Sequence, residues 1–425
     1  MLSRRNFLKV AVTFLGSAVA TACGRAVSVS TPDPTLTVKP PTATLTPTAT
    51  FTPTVAPTPA ATATSAATAT PTPGAPEFVT VRGDQFYFRG ARFPIKGFNY
   101  YPKSHPWRMF NLGEWDARTT EQELLLGSSL GANVVRVFID YPYSIGVQPL
   151  LPPETRQAAA TPTSTATPPQ TPMPTPTLAF VPPTPQYLQN VREFIDIAGR
   201  QNFKVILTLF DNLDPTMYLP PNYWIAEAYL NELVPRFAND PRILCWDLQN
   251  EPDRAFQNVG DQPVLTWFQR VSTQIRALDP NHLQTIGWID RARGKYFADL
   301  DNYLDFWCFH FYDKVDRLSD LIQFYKSRTA KPILLEEFGL ATGGPGPDGQ
   351  HTEPDQASHY STVLALLEGY KMCGSVFWIL TDFPKGLAGN PPTPDDSPEN
   401  HFGVFRLDYS EKPAAGQIRY FWKSG

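Results

Sequence analysis

Residues 203–252 contain two apolar runs, FKVILTLF (203–210) and ILCWDLQN (243–250), separated by the stretch NYWIAEAYLNELVPRFA (222–238). Short runs of this kind are typical of strands that are buried on both faces of a sheet. The stretch between them carries apolar residues at helical spacing. Two buried strands joined through a helix form a parallel βαβ unit, so these residues predict an α/β fold.

The same alternation continues in both directions along the chain. Eight strands are predicted, at 94–100, 133–139, 203–210, 243–250, 283–289, 306–311, 332–338 and 375–380. Helical patterns separate or follow them, at 117–130, 187–201, 222–238, 262–278, 294–300, 316–328, 355–371 and 412–422. Eight such units in roughly 345 residues favour a closed (β/α)8 TIM barrel over an open doubly wound sheet. No GxGxxG or GxxxxGK[ST] turn follows a strand, which argues against nucleotide binding.

A hairpin is predicted before the barrel, at residues 78–89, because apolar and polar residues alternate on both sides of Gly83-Asp84. Two tracts of Pro, Thr, Ala and Ser interrupt the pattern: residues 31–76 and 151–185 contain 11 prolines each, 22 of the 45 in the 425-residue chain. Such tracts bury too little apolar surface to offset the entropy of ordering, so both are predicted to be disordered. The sequence therefore predicts a linker at 26–76 and one folded domain at 77–425, with a loop insertion at about 151–185.

Residues 1–25 are predicted to be an export signal. A basic start precedes about 13 mostly apolar residues, too few for the roughly 20 that span a membrane as a helix. Residues 3–9, SRRNFLK, match the twin-arginine pattern, and residues 20–23, ATAC, resemble a lipobox in which Cys23 is lipidated after cleavage. This predicts a lipoprotein on the outer side of the cell membrane. Ordinary cleavage near Ala20 or Ala22, followed by secretion, is the alternative.

Charge and composition exclude several classes of function. The net charge is −4 and no basic run follows the first residues, so a nucleic-acid surface is not expected. The four cysteines show no CxxC spacing and the six histidines no ligand spacing, so neither a metal site nor a redox motif is predicted. No cofactor is expected, and the protein is expected to be a monomer.

Two of the predicted strands end in glutamates. The fourth continues into Asn250-Glu251-Pro252, and the seventh ends in Glu336-Glu337-Phe338-Gly339. Chemistry in TIM barrels takes place at the carboxyl ends of the strands, where these acids meet. A lone strand-end glutamate is more often a helix cap or part of an ion pair. Two on one rim form the pair that cleavage of a glycosidic bond requires.

These two motifs, NEP after strand four and EFG after strand seven, resemble the signatures of retaining β-glycosidases, and residues 77–425 as a whole resemble glycoside hydrolase family 5. The resemblance implies that Glu251 is the acid/base, that Glu337 is the nucleophile and that Asn250 hydrogen-bonds the sugar 2-hydroxyl. Because adjacent residues of a strand point to opposite sides, only one of Glu336 and Glu337 is expected to face the substrate. The family pattern selects Glu337.

Further residues fit the same site. Arg136 lies within a doubly buried strand and needs a partner, either Glu337 or, in a structural ion pair, Asp140 or Glu336. His310 and Tyr312 share one side of strand six and resemble the family's His and Tyr; a buried core His remains open. Trp378 ends strand eight, where the family has a Trp platform beneath the sugar. Tyr100 and Trp288 are predicted as possible subsite residues, with plain packing as the alternative.

The predicted function is a retaining glycoside hydrolase that acts on a β-mannan or β-1,4-glucan polysaccharide or oligosaccharide. Strand three ends in Asp211-Asn212, where many family members have a His; this departure resembles the mannanase-type members. Two alternatives carry the same signal and tether: a lipid-anchored carbohydrate-binding protein without hydrolytic activity, and a transporter's solute-binding protein. Neither of them needs paired glutamates on a barrel rim.

Overall fold

The computed structural model describes residues 78–139, 141, 180–289, 296–389 and 395–424. The predicted export signal with Cys23, the 26–76 linker and residues 151–179 of the predicted insertion lie outside these ranges, as does Asp140. Among the described residues, no helix has the length and apolarity needed to cross a membrane.

A small antiparallel sheet precedes the barrel. Strands β1 (Thr80–Arg82) and β2 (Gln85–Phe88) pair around Gly83, as the sequence predicts. A third strand, β3 (Ala91–Arg92), pairs with β2 and was not predicted. Phe86 from this sheet packs edge-on against Phe306, where it covers the amino-terminal end of the barrel.

Eight parallel strands form the barrel, and all eight were predicted. They are β4 (Ile95–Asn99), β5 (Val134–Phe138), β6 (Lys204–Thr208), β7 (Ile243–Asn250), β8 (Leu283–Gly287), β9 (Trp307–Phe311), β10 (Ile333–Phe338) and β11 (Gly374–Phe377). The strands pair in the order β8-β7-β6-β5-β4-β11-β10-β9, so the last strand lies beside the first. Between β8 and β9, backbone hydrogen bonds run from Asp305 N to Gln284 O and from His310 N to Trp288 O. The fold is therefore the expected (β/α)8 barrel.

The helices alternate with the strands. They are α1 (Ala117–Leu130), α2 (Pro185–Arg200), α3 (Tyr223–Leu233), α4 (Asp253–Val259), α5 (Asp261–Leu278), α6 (Tyr296–Leu300), α7 (Leu318–Lys326), α8 (Glu353–Gly369) and α9 (Pro413–Ser424). Of these nine α-helices in the described ranges, α4 alone was not predicted, because its seven residues are too few to show a helical period.

The hydrophobic core has two layers. A small cluster fills the barrel interior toward the amino-terminal ends of the strands. It includes Cys245 and Cys308, which are buried free thiols. A larger and more aromatic layer lies between the strands and the helices. Helix α1 approaches the barrel at Gly127, where a Cβ would lie 2.3 Å from the Phe98 ring. Glycine is thus required at the point where α1 packs on β4.

The predicted insertion has one described end. Phe180 stacks on Tyr141 with ring centroids 6.4 Å apart, and helix α2 starts at Pro185 with Thr184 as its N-cap. The last residues of the tract therefore pack on the barrel and do not belong to a wholly disordered segment.

Candidate active site

The predicted site residues meet at the carboxyl-terminal mouth of the barrel. Arg136 lies on β5, Asn250 at the end of β7 with Glu251 directly after it, His310 on β9 and Glu337 on β10. All are buried except Glu251, whose side chain is 19% exposed. Four strands thus deliver polar groups to one position, which an apolar barrel interior tolerates only where those groups are paired.

The carboxylate of Glu337 is held on both sides. Arg136 Nη1 donates to Glu337 Oε1 at 2.6 Å, and the Tyr312 hydroxyl donates to Glu337 Oε2 at 2.8 Å. A guanidinium and a phenol that donate to opposite oxygens fix the orientation of the carboxylate and favour its ionised form. Tyr312 is itself in edge contact with the Phe402 ring.

Glu251 is positioned by its backbone as well as by its side chain. Its φ is +48°, a region that non-glycine residues adopt rarely and at an energetic cost. Its amide donates to Gly287 O at 2.8 Å, and its Oε1 lies 2.9 Å from His310 Nδ1. One oxygen of Glu251, one oxygen of Glu337 and one nitrogen of His310 all lie within 4.8 Å of one another. The two carboxylates are therefore neighbours across a narrow gap.

Those three atoms are also spaced closely enough for a metal ion. The sequence predicts no metal, and the absence of a metal stays a prediction. Burial alone lowers the pKa of His310, but the charge of Glu337 and the contacts with Glu251 and Glu336 raise it to about 10.

Arg136 is the centre of the buried charge cluster. Besides Glu337, its guanidinium contacts Asp247 Oδ2 at 2.6 Å and donates to Asn99 Oδ1 and Asn250 Oδ1, both at 3.0 Å. Asp247 also accepts a hydrogen bond from Thr208 Oγ1 at 2.7 Å. Burial and then the charge of Glu336 raise the pKa of Asp247 to about 6, despite the opposing effect of Arg136.

The expectation that Glu336 and Glu337 point to opposite sides is wrong. The pairing of β10 with β9 shifts register between Leu335 and Glu337, and such an irregularity changes the alternation of side chains. Both glutamates therefore lie in the buried cluster, with Glu336 Oε1 3.5 Å from Arg136 Nε. Arg136 consequently pairs with Glu336 as well as with Glu337, so these two of the three partners considered for it are not alternatives.

The predicted aromatic residues lie in different places. Trp378 is fully buried at the end of β11, with its ring against those of Tyr101, Trp107 and Phe138. Trp378 therefore lies at the end of the eighth barrel strand, as predicted. Its role as a platform beneath the sugar stays a prediction.

Tyr100 and Trp288 pack outside the barrel wall. The Tyr100 hydroxyl donates to Glu123 on α1, and the Trp288 ring stacks on Tyr296 of α6. Neighbouring residues on their strands, Asn99 and Gly287, point inward instead, as the alternation of a strand requires. The structure therefore supports plain packing for both residues and places neither of them in a subsite.

Three residues of the site were not singled out from the sequence. Asp247 is a charge within an apolar strand, the same signal that identified Arg136. Asn99 ends the first barrel strand, but a strand-end Asn is common in turns. A Cβ on Gly287 would lie 2.8 Å from Glu336 Oε2 and 2.9 Å from His310 Nε2, a requirement that only the fold reveals.

Comparison with known proteins finds relatives of similar sequence. A probable mannan endo-1,4-β-mannosidase C of Aspergillus terreus is 32% identical over 150 residues, which are 27% of this chain and 36% of that protein. The chain thus spans about a third of the length of this curated relative.

Two solved structures share the fold. The β-D-glucuronidase of Dictyoglomus thermophilum matches with a TM-score of 0.57 at 19% identity, covering 82% of this chain and 54% of that one. A GH5_18 protein variant from Streptomyces cattleya, in complex with Manβ1-4GlcNAc, matches with a TM-score of 0.55 at 17% identity, covering 78% and 80%. The model of the cellulase family, glycosyl hydrolase family 5, matches residues 96–382, more than half of the chain. The chain therefore belongs to glycoside hydrolase family 5.

Proposed function

We propose that the protein is a retaining hydrolase of β-linked glycans that acts by double displacement. The observation that carries this proposal is the approach of Glu251 and Glu337, whose nearest oxygens lie within 4.8 Å. Retaining glycosidases keep their two carboxyl groups about 5 to 5.5 Å apart, whereas inverting enzymes need about 6.5 to 9.5 Å to admit a water. The gap in this site supports direct attack by one carboxylate.

Glu337 is the proposed nucleophile. It is fully buried, and the Arg136 guanidinium and the Tyr312 hydroxyl both donate to it, so it stays ionised. An ionised carboxylate whose orientation is fixed can attack the anomeric carbon and form the glycosyl-enzyme. The Tyr312 hydroxyl can keep its hydrogen bond to Glu337 Oε2 when that oxygen becomes the carbonyl oxygen of the glycosyl ester.

Glu251 is the proposed acid/base. It is the more exposed of the two glutamates, and its Oε1 lies within hydrogen-bond distance of His310. It gives its proton to the leaving oxygen in the first step and takes one from water in the second. Asn250 is proposed to bond the sugar 2-hydroxyl, because its amide is fixed by contacts with Arg136 and Asp211.

The proposed substrate is a β-mannan or β-1,4-glucan type glycan. The mannanase-like end of strand three and the likeness to a mannan endo-1,4-β-mannosidase favour mannan. The alternative of a binding protein without activity is disfavoured, because binding alone does not require two carboxylates within 4.8 Å. Release of reducing sugar from mannan and from β-1,4-glucan would separate these possibilities.

The roles of the two glutamates can be tested with an activated aryl glycoside. Glu337→Ala removes the nucleophile and should abolish turnover of every natural glycan and of the aryl glycoside. Glu251→Ala should still form the glycosyl-enzyme when the leaving group is good, giving a burst followed by slow turnover. Azide needs no general base, so it should accelerate that turnover and give a β-glycosyl azide.

Product stereochemistry provides the independent check. NMR of the first product from the wild type should show the β configuration. An inverted product, or a burst from Glu337→Ala in place of Glu251→Ala, would contradict the proposed roles.

We also propose that the enzyme is exported by the twin-arginine route and anchored through Cys23. This rests on the sequence of residues 1–25 and on the Pro/Thr-rich spacer after it. Replacing Arg4 and Arg5 with Lys should leave the protein in the cytoplasm, and Cys23→Ala should release it from the membrane fraction. Retention of Cys23→Ala in the membrane fraction would rule out the lipid anchor.

A further inference from the structure

Glu336 is a buried charged group to which the proposed mechanism gives no role. Its side chain is fully buried, and within the described part of the chain neither of its oxygens has a hydrogen-bond partner. An ionised carboxylate in such a position is costly unless cations compensate it. Two cationic groups lie just beyond hydrogen-bond distance: Arg136 Nε at 3.5 Å and His310 Nε2 at 3.6 Å.

His310 lies between Glu336 and the proposed acid/base. Its Nδ1 is 2.9 Å from Glu251 Oε1, and its Nε2 is 3.6 Å from Glu336 Oε2. Gly287 makes this approach possible, because a Cβ at that position would lie 2.8 Å from Glu336 Oε2 and 2.9 Å from His310 Nε2. The three groups therefore form a carboxylate–imidazole–carboxylate array across the barrel mouth.

The acids nearest to the imidazole, among the residues that the structure describes, lie on or directly after two strands. Glu251 from the end of β7, and Glu336 and Glu337 from β10, lie within 3.6 Å of its nitrogens. Arg136 and Asp247 complete the cluster on the other side of Glu336 and Glu337.

The thiols below the cluster, Cys245 and Cys308, add no charge. Burial, and then the charge of Glu336, raise the pKa of each well above its usual value. Acids outnumber cations next to His310, and its pKa of about 10 agrees with a doubly protonated ring at neutral pH.

We propose that Glu336 is a positioning residue for the acid/base: its negative charge beside Nε2 keeps the His310 ring doubly protonated, so that Nδ1 also carries a proton and donates it in a hydrogen bond to Glu251 Oε1. The proton that Glu251 transfers must then reside on Oε2. If the imidazole were neutral and Nδ1 carried no proton, Nδ1 would accept a hydrogen bond from a protonated Glu251 Oε1. The proton of Glu251 would then point to His310 and not to the leaving oxygen. This inference rests on the proposed role of Glu251 as acid/base.

The test uses two variants of the full chain and one matched control. Glu336→Gln keeps the shape and removes the charge, and Gly287→Ala keeps the charge but separates Glu336 from His310. Asp279→Asn is the control, because Asp279 forms an equally buried pair with His282, 2.6 Å apart, before the start of β8 at the opposite end of the barrel.

The first measurement does not depend on activity. In ¹⁵N-histidine NMR spectra, His310 of the wild type should keep both ring protons up to a pH well above neutrality. In Glu336→Gln and in Gly287→Ala it should lose the second proton at a pH lower by about one unit or more, since a buried negative charge favours the protonated ring. Asp279→Asn should leave the His310 signals unchanged.

The second measurement separates the acid role from the nucleophile. Both variants should lose about tenfold or more in kcat/KM on a β-linked glycan, whose leaving group needs a proton, and less than about twofold on a 2,4-dinitrophenyl glycoside. Asp279→Asn should show the same ratio between the two substrates as the wild type.

An unchanged His310 titration in both variants, or equal losses on the two substrates, would overturn the role given to Glu336. A wild type that hydrolyses neither substrate would instead refute the proposed function, while the NMR result would still decide whether Glu336 holds the proton. If Glu336→Gln does not fold, Gly287→Ala gives the same decision.

Discussion

Arg136 is the residue on which the buried charges of the site depend. Its guanidinium is fully buried and lies within 3.5 Å of Asp247, Glu336 and Glu337. Those charges, Glu336 first, raise its pKa well above the usual value against the opposing effect of burial. Its loss leaves three acids in the barrel with His310 as the cation that remains in contact with Glu336 and Glu337.

We expect Arg136→Met to lower the free energy of unfolding by about 3 to 5 kcal/mol at neutral pH, as removal of one partner from a buried ion pair does. The acid limb of the kcat/KM profile should move to higher pH, because Glu337 loses a neighbouring cation. Urea titrations and pH–rate profiles measure the two effects.

Arg242 offers the matched control, since it also pairs with two acids, Asp196 and Asp240, but is about a third exposed. Arg242→Met should cost less than about 1 kcal/mol and leave the pH profile unchanged. Equal costs for the two variants would show that the Arg136 cluster contributes no more than surface ion pairs do.

The strands illustrate what sequence alone can and cannot predict at the scale of elements. Eight apolar runs identify the eight barrel strands, and the residues that end them identify Glu251 and Glu337. The predicted side-chain direction of Glu336 was wrong because of the register shift on β10. Such a shift depends on pairing with the neighbouring strand, which no local sequence pattern reveals. A similar shift between Asp247 and Asn250 on β7 lets both of these residues contact Arg136 although they are three apart.

Helix α1 gives a prediction that reverses the usual effect of a glycine substitution. Gly127→Ala would raise helix propensity, yet its Cβ would lie 2.3 Å from the Phe98 ring. We expect the variant to lower the free energy of unfolding by about 1 to 3 kcal/mol, as overpacking does.

Gly369, the last residue of α8, has no atom within 4 Å of the position of its missing Cβ. Gly369→Ala should therefore be neutral or stabilise by up to about 1 kcal/mol. Chemical denaturation of both variants measures the difference. Stabilisation by Gly127→Ala would show that α1 does not pack this closely on β4.

The whole molecule should lose stability as the pH rises through the alkaline range. His310 has a pKa of 6.5 when unperturbed and about 10 in the folded state, so folding favours its protonated form. The resulting stabilisation is complete below pH 6.5 and is lost between pH 6.5 and about 10. Asp247, raised from 3.8 to about 6, acts in the same direction at lower pH.

The thermal midpoint should accordingly fall between about pH 7 and pH 10, and the fall should be smaller in His310→Gln. Calorimetry at several pH values measures both slopes. A midpoint that rises over this range, or an equal slope in His310→Gln, would show that His310 is not protonated in the folded protein.

At the same scale, the sequence predicted the barrel and the meeting of Glu251 and Glu337 at its mouth, but not which aromatic residues face the mouth. Tyr100, Trp288 and Trp378 each lie at or directly after the end of a strand. All three are aromatic residues of the kind that stack on sugars. Their inward or outward direction depends on one residue of register, which the apolar runs do not mark because both faces of each strand are buried.

The pairing of β11 with β4 has a consequence for synthesis on the ribosome. Gly374 lies opposite Ile95, so β4, which pairs with β5 on one side, lacks a partner on its other side until almost the entire domain has been translated. Until then the nascent chain exposes one unpaired strand edge, a template for association with other chains. Truncation before residue 374 should therefore yield an insoluble product, and not a smaller folded domain, because the edge of β4 then remains open.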